Sequence, residues 1–459
     1  MSSAYEIFFR NVLFPAYETL IRRNTHRYRR EYERSQWLPR EALIALQLGK
    51  LNDLLAHAWR HVPYLQTKWK AHGLDPSPLK SVADLASYPI LTKEEITANY
   101  GDMIAKPWRG RTLSKVTGGS TGDPFRLEYT MDSYARRIAV MWRGYSWGRA
   151  DLGARTAYLW GTGLRQGGWG GVKDRLYHSA FNRRFLDAFS MREDNVEEYV
   201  RQIEQYRPNA VVGYVAPVVQ VARHMNSGNK RFSGIRAVLT GAEALYAPER
   251  AEIERAFGCP VFNTYGCREF MLLASECDRH SGLHVNVDHL VVETVDEEAR
   301  PIAGASGDVA VTDLHNYAMP FVRFKNGDSA TLCDRQCECG RGLPLLASVD
   351  GRVLDVIVTP DGRSVPGEFF VYVMLDWQNI RHYQAVQTAP NVLEFRVVAR
   401  SPLSAEQRDR LTQRLRSKLG PSMNIDIRET HAIPTTASGK RRISISLANA
   451  HTAAALDSQ

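Results

Sequence analysis

Residues Ile235–Gly266 read IRAVLTGAEALYAPERAEIERAFGCPVFNTYG. The first and last parts, IRAVLTGAE and CPVFNTYG, are short apolar runs rich in β-branched and aromatic residues, and each ends in glycine or small residues. Between them, YAPERAEIERAFG carries proline near its start, acidic and basic residues through its body and glycine at its end. That is the grammar of a strand, a helix and a second strand. The same texture continues upstream in ARTAYLWG, NAVVGYV and the helical DNVEEYVRQIEQY. Strand and helix in alternation predict an α/β fold with a mostly parallel sheet over about 110–350. Ligands in such sheets sit at the carboxyl ends of the strands, where these glycines fall.

Outward from this core the texture changes twice. Residues 1–100 read as mostly helical. LPREALIALQLGKLNDLLAHAWRHVPYL has apolar residues at helical spacing, and TKEEITANYG opens like a capped helix. Beyond about 350, VDGRVLDVIVTPDGRSVPG reads as two strands around a turn at Pro360–Arg363. A strand, an amphipathic helix (SAEQRDRLTQRLRSKLG) and another strand follow. The expected organisation is a helical region at 1–100, an α/β core at 101–351 and a small α+β domain at 355–450.

Composition excludes several classes. The chain has 459 residues, 44% hydrophobic and 24% charged, the balance of an ordinary globular protein. No run of about 18 apolar residues predicts a membrane span. The start, MSSAYEIFFRNVLFPAYETLIRR, lacks the basic opening and cleavage site of a secretory signal and reads as an amphipathic helix, so the cytoplasm is the expected compartment. Much of the net charge of +9 sits in RRNTHRYRREYER, Arg22–Arg34, and in single arginines elsewhere. Such a run is ordinarily a solvated helix face; peripheral docking on an anionic membrane or an acidic partner is the alternative. No nucleic-acid-binding module accompanies the charge, so nucleic acid is not an expected partner.

Five short motifs carry chemistry. TGGSTGDP, Thr117–Pro124, is a glycine-rich turn whose N–H groups and hydroxyls suit phosphate oxygens, although it lacks the Gly-Lys-Ser/Thr of a Walker loop and could be a plain turn. NTYGCRE (Asn263–Glu269), Gly327-Asp328, GRVLD (Gly351–Asp355) and Lys440 in PTTASGKRR follow in order. Singly, these carboxylates and the lysine read as surface residues and Tyr265 as a core aromatic.

In this order and spacing the five motifs resemble the adenylate-forming superfamily, over roughly 110–445. HAWRHVPYLQTKW and CECGRGLPLL are similar to elements of its phenylacetate–CoA ligase and CapK-like branch. The resemblance implies an ATP-dependent ligase. It would join a carboxylic acid, of an aryl type, to AMP and then most often to CoA; an amine, sugar or carrier is the alternative acceptor, and a catalytically inactive nucleotide-binding protein the alternative class. It implies that Thr117, Gly118, Gly119, Ser120, Thr121 and Gly122 hold the ATP phosphates. Gly241, Ala242, Glu243, Asn263, Thr264 and Gly266 would line the nucleotide, with Tyr265 on the adenine. Asp328 would take the ribose hydroxyls with Arg352 beside it. Glu269 would hold Mg2+, and Lys440 would bridge the acyl carboxylate and the α-phosphate. Tyr158, Trp160, Tyr214 and Pro217 are candidate acid-pocket walls, and LRQGGWGGVKDR a candidate covering loop. A homodimer is a further implication. Leu354 departs from the family's usual Gly-Arg-x-Asp-Asp hinge, and Asp123 adds a negative charge to the phosphate loop.

Four of the six cysteines lie in ECDRHSGLH (Glu276–His284) and LCDRQCECGR (Leu332–Arg341). Thiols and imidazole at this spacing suit a closed tetrahedral Zn2+ site; packed, reduced cysteines are the alternative. The resemblance favours Cys277, His284, Cys337 and Cys339, with His280 and Cys333 as alternatives.

Overall fold

The computed structural model describes residues 3–118, 124–161, 176–191, 193–349, 356–365, 367–374, 377, 379–433 and 443–446. The chain divides into two compact units. One takes residues 1–115, 126–154 and 262–351, the other 116–125, 155–261 and 352–459.

The first hundred residues fold into helices. Arg40–His61 buries Leu43, Gln47, Leu51, Leu54, Leu55 and Ala58, a stripe at helical spacing. Pro63 opens the next helix at a position where its missing N–H costs nothing. Thr92 and Glu95 close a reciprocal capping box at Lys93–Ala98. Strands β1 (Leu113–Gly118) and β2 (Pro124–Tyr129) then pair with each other.

In the second unit, β3 (Thr156–Trp160), β4 (Arg183–Asp187), β5 (Ala210–Tyr214) and β6 (Ala237–Gly241) run parallel in the order β6-β5-β3-β4. Helices Val196–Tyr206, Val215–Ser227 and Ala247–Phe257 cover them. Every residue of β5 and β6 is buried, as continuous apolar strands in a covered sheet must be. Gly258 (φ +64°) ends the last helix in the left-handed conformation that glycine adopts without penalty.

Parallel pairing does not extend through the whole α/β region. In the first unit, β7 (Val261–Tyr265), β8 (Ala274–Glu276), β9 (Leu283–Val285), β10 (Leu290–Val295), β11 (Ser306–Asp313), β12 (Phe324–Cys333) and β13 (Leu345–Val349) form antiparallel pairs in the order β10-β11-β12-β13-β9-β8-β7. The links between successive strands here are shorter than the roughly dozen residues a parallel crossover needs. Helix Met131–Trp147 packs in this unit and buries Arg143, whose guanidinium forks onto the Asp288 carboxylate at 2.5 and 2.9 Å. Burial alone would raise the Asp288 pKa; the Arg143 charge and hydrogen bonds overcome it and hold the carboxyl below its ordinary value.

The C-terminal part of the second unit starts with the hairpin β14 (Ile357–Val358) and β15 (Ser364–Val365). A four-stranded sheet follows, in which β16 (Ile380–Ala389) and β17 (Val392–Ala399) are flanked by β18 (Asn424–Glu429) and β19 (Ser444–Ser446) in the order β18-β17-β16-β19. Helix Ala405–Leu419 is capped by Ser404 and Gln407 and buries Leu411, Leu415 and Leu419. This core is continuous with residues of the parallel sheet region. Phe369, Phe370 and Ile357 share a cluster with Ala188, Phe189 and Tyr214, and the Lys418 ammonium reaches Asp187 at 2.5 Å and the Ser190 hydroxyl at 2.6 Å.

Candidate active site and metal centre

The glycine of NTYG is there because nothing else fits. A Cβ at Gly266 would lie 2.0 Å from the Met271 carbonyl oxygen. The tight turn that results carries Tyr265 inward and Glu269 to a half-buried position. Tyr265 donates its hydroxyl to the Asp328 carboxylate at 2.9 Å. Asn326 donates to both, at 2.8 Å each, and its carbonyl oxygen accepts the Asp328 backbone N–H at 3.0 Å. All three side chains are buried. Burial, and then the Asp328 charge, push the Tyr265 phenol well above its ordinary pKa, so it stays a donor. Gly327 (φ +86°) supplies the left-handed residue that turns Asn326 back onto Asp328. Asn326 was not picked out by sequence reading, although Asn-Gly is a turn signal in its own right.

A second anchor sits under the same turn. The backbone carbonyl of Glu269 accepts from the Tyr129 hydroxyl at 3.1 Å and from the Arg137 guanidinium. Arg137 is buried, paired with Asp313, and lies 3.9 Å from the Tyr129 ring centroid. The backbone of the turn is therefore held while the Glu269 carboxylate makes no ion pair among the described residues, which suits a residue that meets a cation. Asn263 and Thr264 belong to β7; the Asn263 N–H is bonded to Glu276 at 2.7 Å, and Thr264 pairs with Ser275.

In the second unit, Gly241 ends β6, Ala242 takes a left-handed turn (φ +68°), and the Glu243 carboxylate accepts the Ala216 N–H at 2.6 Å, at the positive end of helix Val215–Ser227. Tyr158 stacks on Phe185 with ring centroids 4.6 Å apart; Trp160 lies 4.2 Å from Tyr214, and Pro217 is buried in the adjacent helix. Tyr214 and Trp160 pack against the C-terminal core. Thr117 and Gly118 are described only as the end of β1. Gly119, Ser120, Thr121, Gly122, Asp123, Arg352, Leu354, Lys440 and the 164–175 loop lie outside the described residues.

The cysteine cluster assembles from β8, β9 and the loop before β13. The ligand atoms of Cys277, His284, Cys337 and Cys339 all lie within 4.8 Å of one another. Cys277 and Cys337 sulfurs are 3.7 Å apart, and Cys339 is 3.3 Å from His284 Nε2. His284 Nδ1 is 3.0 Å from the Leu343 carbonyl; with the proton there, Nε2 faces the sulfurs with its lone pair free. Backbone N–H groups of Arg279 and Arg341 point at Cys277 and Cys339, and the Ser281 hydroxyl lies 3.1 Å from Cys337. Burial pushes the His284 imidazole down to about 4, favouring the neutral form that binds metal. His280 instead faces Glu276, and Cys333 packs beside the group of four. Around them, Arg341 sits between Trp37 and Trp147 (4.7 and 4.6 Å) and donates to Gln36 at 3.0 Å. None of these supports was legible from the cysteine spacing.

Residues 357–446 match the CapK C-terminal domain. Over most of its length the chain is similar to a phenylacetate–coenzyme A ligase of Thermus thermophilus, 24% identical, covering 88% of this chain and 96% of that one. A phenylacetate–coenzyme A ligase of Escherichia coli is 25% identical, over 86% and 92%. Protein CapK of Staphylococcus aureus is 23% identical, over 80% and 81%. Among solved structures, a 2-hydroxyisobutyryl-CoA ligase in complex with its acyl-AMP and CoA superposes with a TM-score of 0.62 at 20% identity, covering 93% of this chain and 94% of that one. The fold is that of the adenylate-forming enzymes. In sequence the chain is similar to phenylacetate–CoA ligases and to CapK, and residues 357–446 match the CapK C-terminal domain.

Proposed function

We propose that the protein is an adenylate-forming acid–CoA ligase. The observation that carries this reading is its similarity, along most of its length, to several phenylacetate–CoA ligases. In the first half-reaction a carboxylate oxygen attacks the α-phosphorus of ATP, the bond to the β-phosphate breaks, and acyl-AMP and pyrophosphate result. In the second, the CoA thiol attacks the acyl carbon and AMP leaves. Adenylation turns a poor leaving group into a good one, which is the chemical gain.

In this reading Asp328, already oriented by Tyr265 and Asn326, accepts the ribose hydroxyls, with Arg352 beside it. Gly241, Ala242, Glu243, Asn263, Thr264, Tyr265 and Gly266 line the nucleotide. Thr117–Gly122 hold the phosphates through backbone N–H groups and hydroxyls. Lys440 neutralises charge that develops between the acid and the α-phosphate. Mg2+ held by Glu269 would offset the charge of the phosphates. Tyr158, Trp160, Tyr214 and Pro217 favour a flat acid, and phenylacetate is the first candidate. Cys277, His284, Cys337 and Cys339 would hold a structural Zn2+: the set is three soft thiols and one neutral imidazole, and it leaves no open position for catalysis. The reading places the work in the cytoplasm and has the small domain rotate about residues 351–355 between half-reactions, a motion that must part Phe369 from Phe189 and Lys418 from Asp187.

The test is pyrophosphate release from MgATP against a panel of aryl, fatty and amino acids, with and without CoA. Release with an aryl acid that CoA accelerates supports the reading; release indifferent to CoA moves the acyl group to an amine, sugar or carrier. Loss of release in Lys440→Ala with ATP binding kept separates an enzyme from a nucleotide-binding protein.

A further inference from the structure

The outward side of the N-terminal helices has the wrong polarity for water. Through residues 4–20 the inward positions include two acids, Glu6 and Glu18, beside Phe9 and Phe14, and all four are buried. Glu18 is satisfied there by Arg23 and by the Thr25 N–H. The outward positions are apolar: Tyr5, Phe8, Val12 and Leu20 are exposed, Leu20 at 81%. Isolated exposed apolar residues need no explanation, but a run of them along one helix marks a surface that meets something.

The next helix, Thr25–Ser35, supplies the charge. Arg27, Arg30 and Arg34 share one exposed face at helical spacing, and Arg22 precedes them. None of the four forms an ion pair among the described residues. The acids of this helix are engaged elsewhere, Glu31 with Arg136 at 3.2 Å and Glu33 with Arg29 at 2.8 Å. Arg27, Arg30 and Arg34, with Glu31 among them, line a depression of about 630 Å3 that ends at Leu38 and Leu46. A second depression, about 270 Å3, continues from His26 and Arg30 to Arg10 and Asn11 on the first helix. Trp37 and Ile44, close to Leu38 and Leu46 in sequence, are also exposed. The two depressions share His26 and Arg30, so an arginine-rich strip runs from the first helix, with its exposed apolar residues, to Leu38 and Leu46.

We infer that this surface docks on an anionic phospholipid bilayer, with the helix of residues 4–20 lying in the interface. Cationic residues beside aromatic and aliphatic ones are the pattern of interfacial helices, and a bilayer supplies negative headgroups and an apolar layer together. A second copy of the chain is a poor occupant, because a two-fold contact would set arginine against arginine. No helix among the described residues is long and apolar enough to cross a membrane, so the contact is peripheral.

Vesicle co-sedimentation of the full chain tests this, using phosphatidylcholine alone and phosphatidylcholine with about one third phosphatidylglycerol, a charge density that attracts basic segments. The chain is expected to sediment with the anionic vesicles and to be released as salt shortens the screening length from about 30 Å at 0.01 M to about 8 Å at 0.15 M. Paired Arg30→Glu and Arg34→Glu should weaken binding by more than about tenfold, since each cation near the surface contributes roughly fivefold. Phe8→Ser with Leu20→Ser should weaken it several-fold at constant salt, with circular dichroism and melting temperature unchanged. Absence of binding, or equal binding to both vesicles, overturns the inference. So does a dimer in sedimentation velocity that the Phe8→Ser, Leu20→Ser variant dissociates, which would make a second copy the occupant. Equal binding to polyglutamate, insensitive to the apolar substitutions, would give the surface to an acidic protein.

Discussion

Three buried polar clusters in the first unit are completed in three different ways. At Tyr265, Asn326 and Asp328, donors and acceptors from two strands meet each other at hydrogen-bond distance. At Arg143 and Asp288 a full charge meets its counter-charge from the chain itself. At Cys277, His284, Cys337 and Cys339 four ligand atoms converge with nothing positive among them. The first is completed by hydrogen bonds among the chain's own groups, the second by opposite full charges, and the third gathers electron-pair donors alone. Burial alone does not separate these cases; the sign and number of the converging groups do.

The largest effect is expected at the third cluster, where the chain supplies donors and no counter-charge. Cys337→Ser should lower zinc content, read by mass spectrometry, from about one per chain to a small fraction, because a three-ligand site loses most of the binding energy of a closed one. Melting temperature should fall by roughly 10 °C, on the scale of 2–4 °C per kcal/mol. Unchanged zinc content would collapse the third class into packed thiols.

Next is the closed pair. Asp288→Ala should cost about 3–5 kcal/mol in denaturant unfolding, since it strands Arg143. The pH dependence has a fixed sign. Asp288 is held below its ordinary value in the folded state, so its contribution is present above the ordinary carboxylate pKa and lost as pH falls through the lower folded value. In Asp288→Asn the acid limb of the stability curve should flatten; an unchanged limb would remove this group from acid unfolding.

If Asp328 takes the ribose hydroxyls as proposed, the first cluster should respond in function before stability. Asp328→Ala is expected to raise the KM for ATP by roughly 10- to 100-fold, as loss of charged hydrogen bonds worth about 1.5–3 kcal/mol. Asn326→Leu leaves Asp328 in place and removes what orients it, so about tenfold in KM with kcat nearly kept is expected. Tyr265→Phe deletes one hydroxyl and should cost least, about three- to tenfold. If Asn326→Leu unfolds the protein instead, the cluster belongs with the closed pair.

What the sequence revealed follows the same physics. The parallel strands Thr156–Trp160 through Ala237–Gly241 were legible because apolar runs, helical spacing and terminal glycines repeat within a few dozen residues. The cysteine cluster was legible because thiols are rare in this chain, while the preference for His284 over His280 and for Cys337 and Cys339 over Cys333 came from the resemblance. The antiparallel character of residues 262–349 was not: period-two patterning is the same in either direction, and only the short links decide it. Arg137 and Tyr129 under Glu269 were invisible for another reason. They act on a backbone carbonyl more than 130 residues away, where the side chain they support says nothing about them. Asn326, two residues from Asp328, was within reach of a closer reading of its turn.

The core that Phe369, Phe370 and Ile357 share with Phe189 and Tyr214 has a consequence for inheritance. A CapK-type tail bounded at residue 357 is a sequence module, yet its interior is finished by residues some 150 positions upstream. Recombination that moves the tail alone transplants an incomplete interior. Chimeras between relatives should therefore fold only when the recipient already carries an aromatic where Phe189 stands and a cation acceptor where Asp187 meets Lys418. The evolutionary unit is longer than the one the motif boundaries draw.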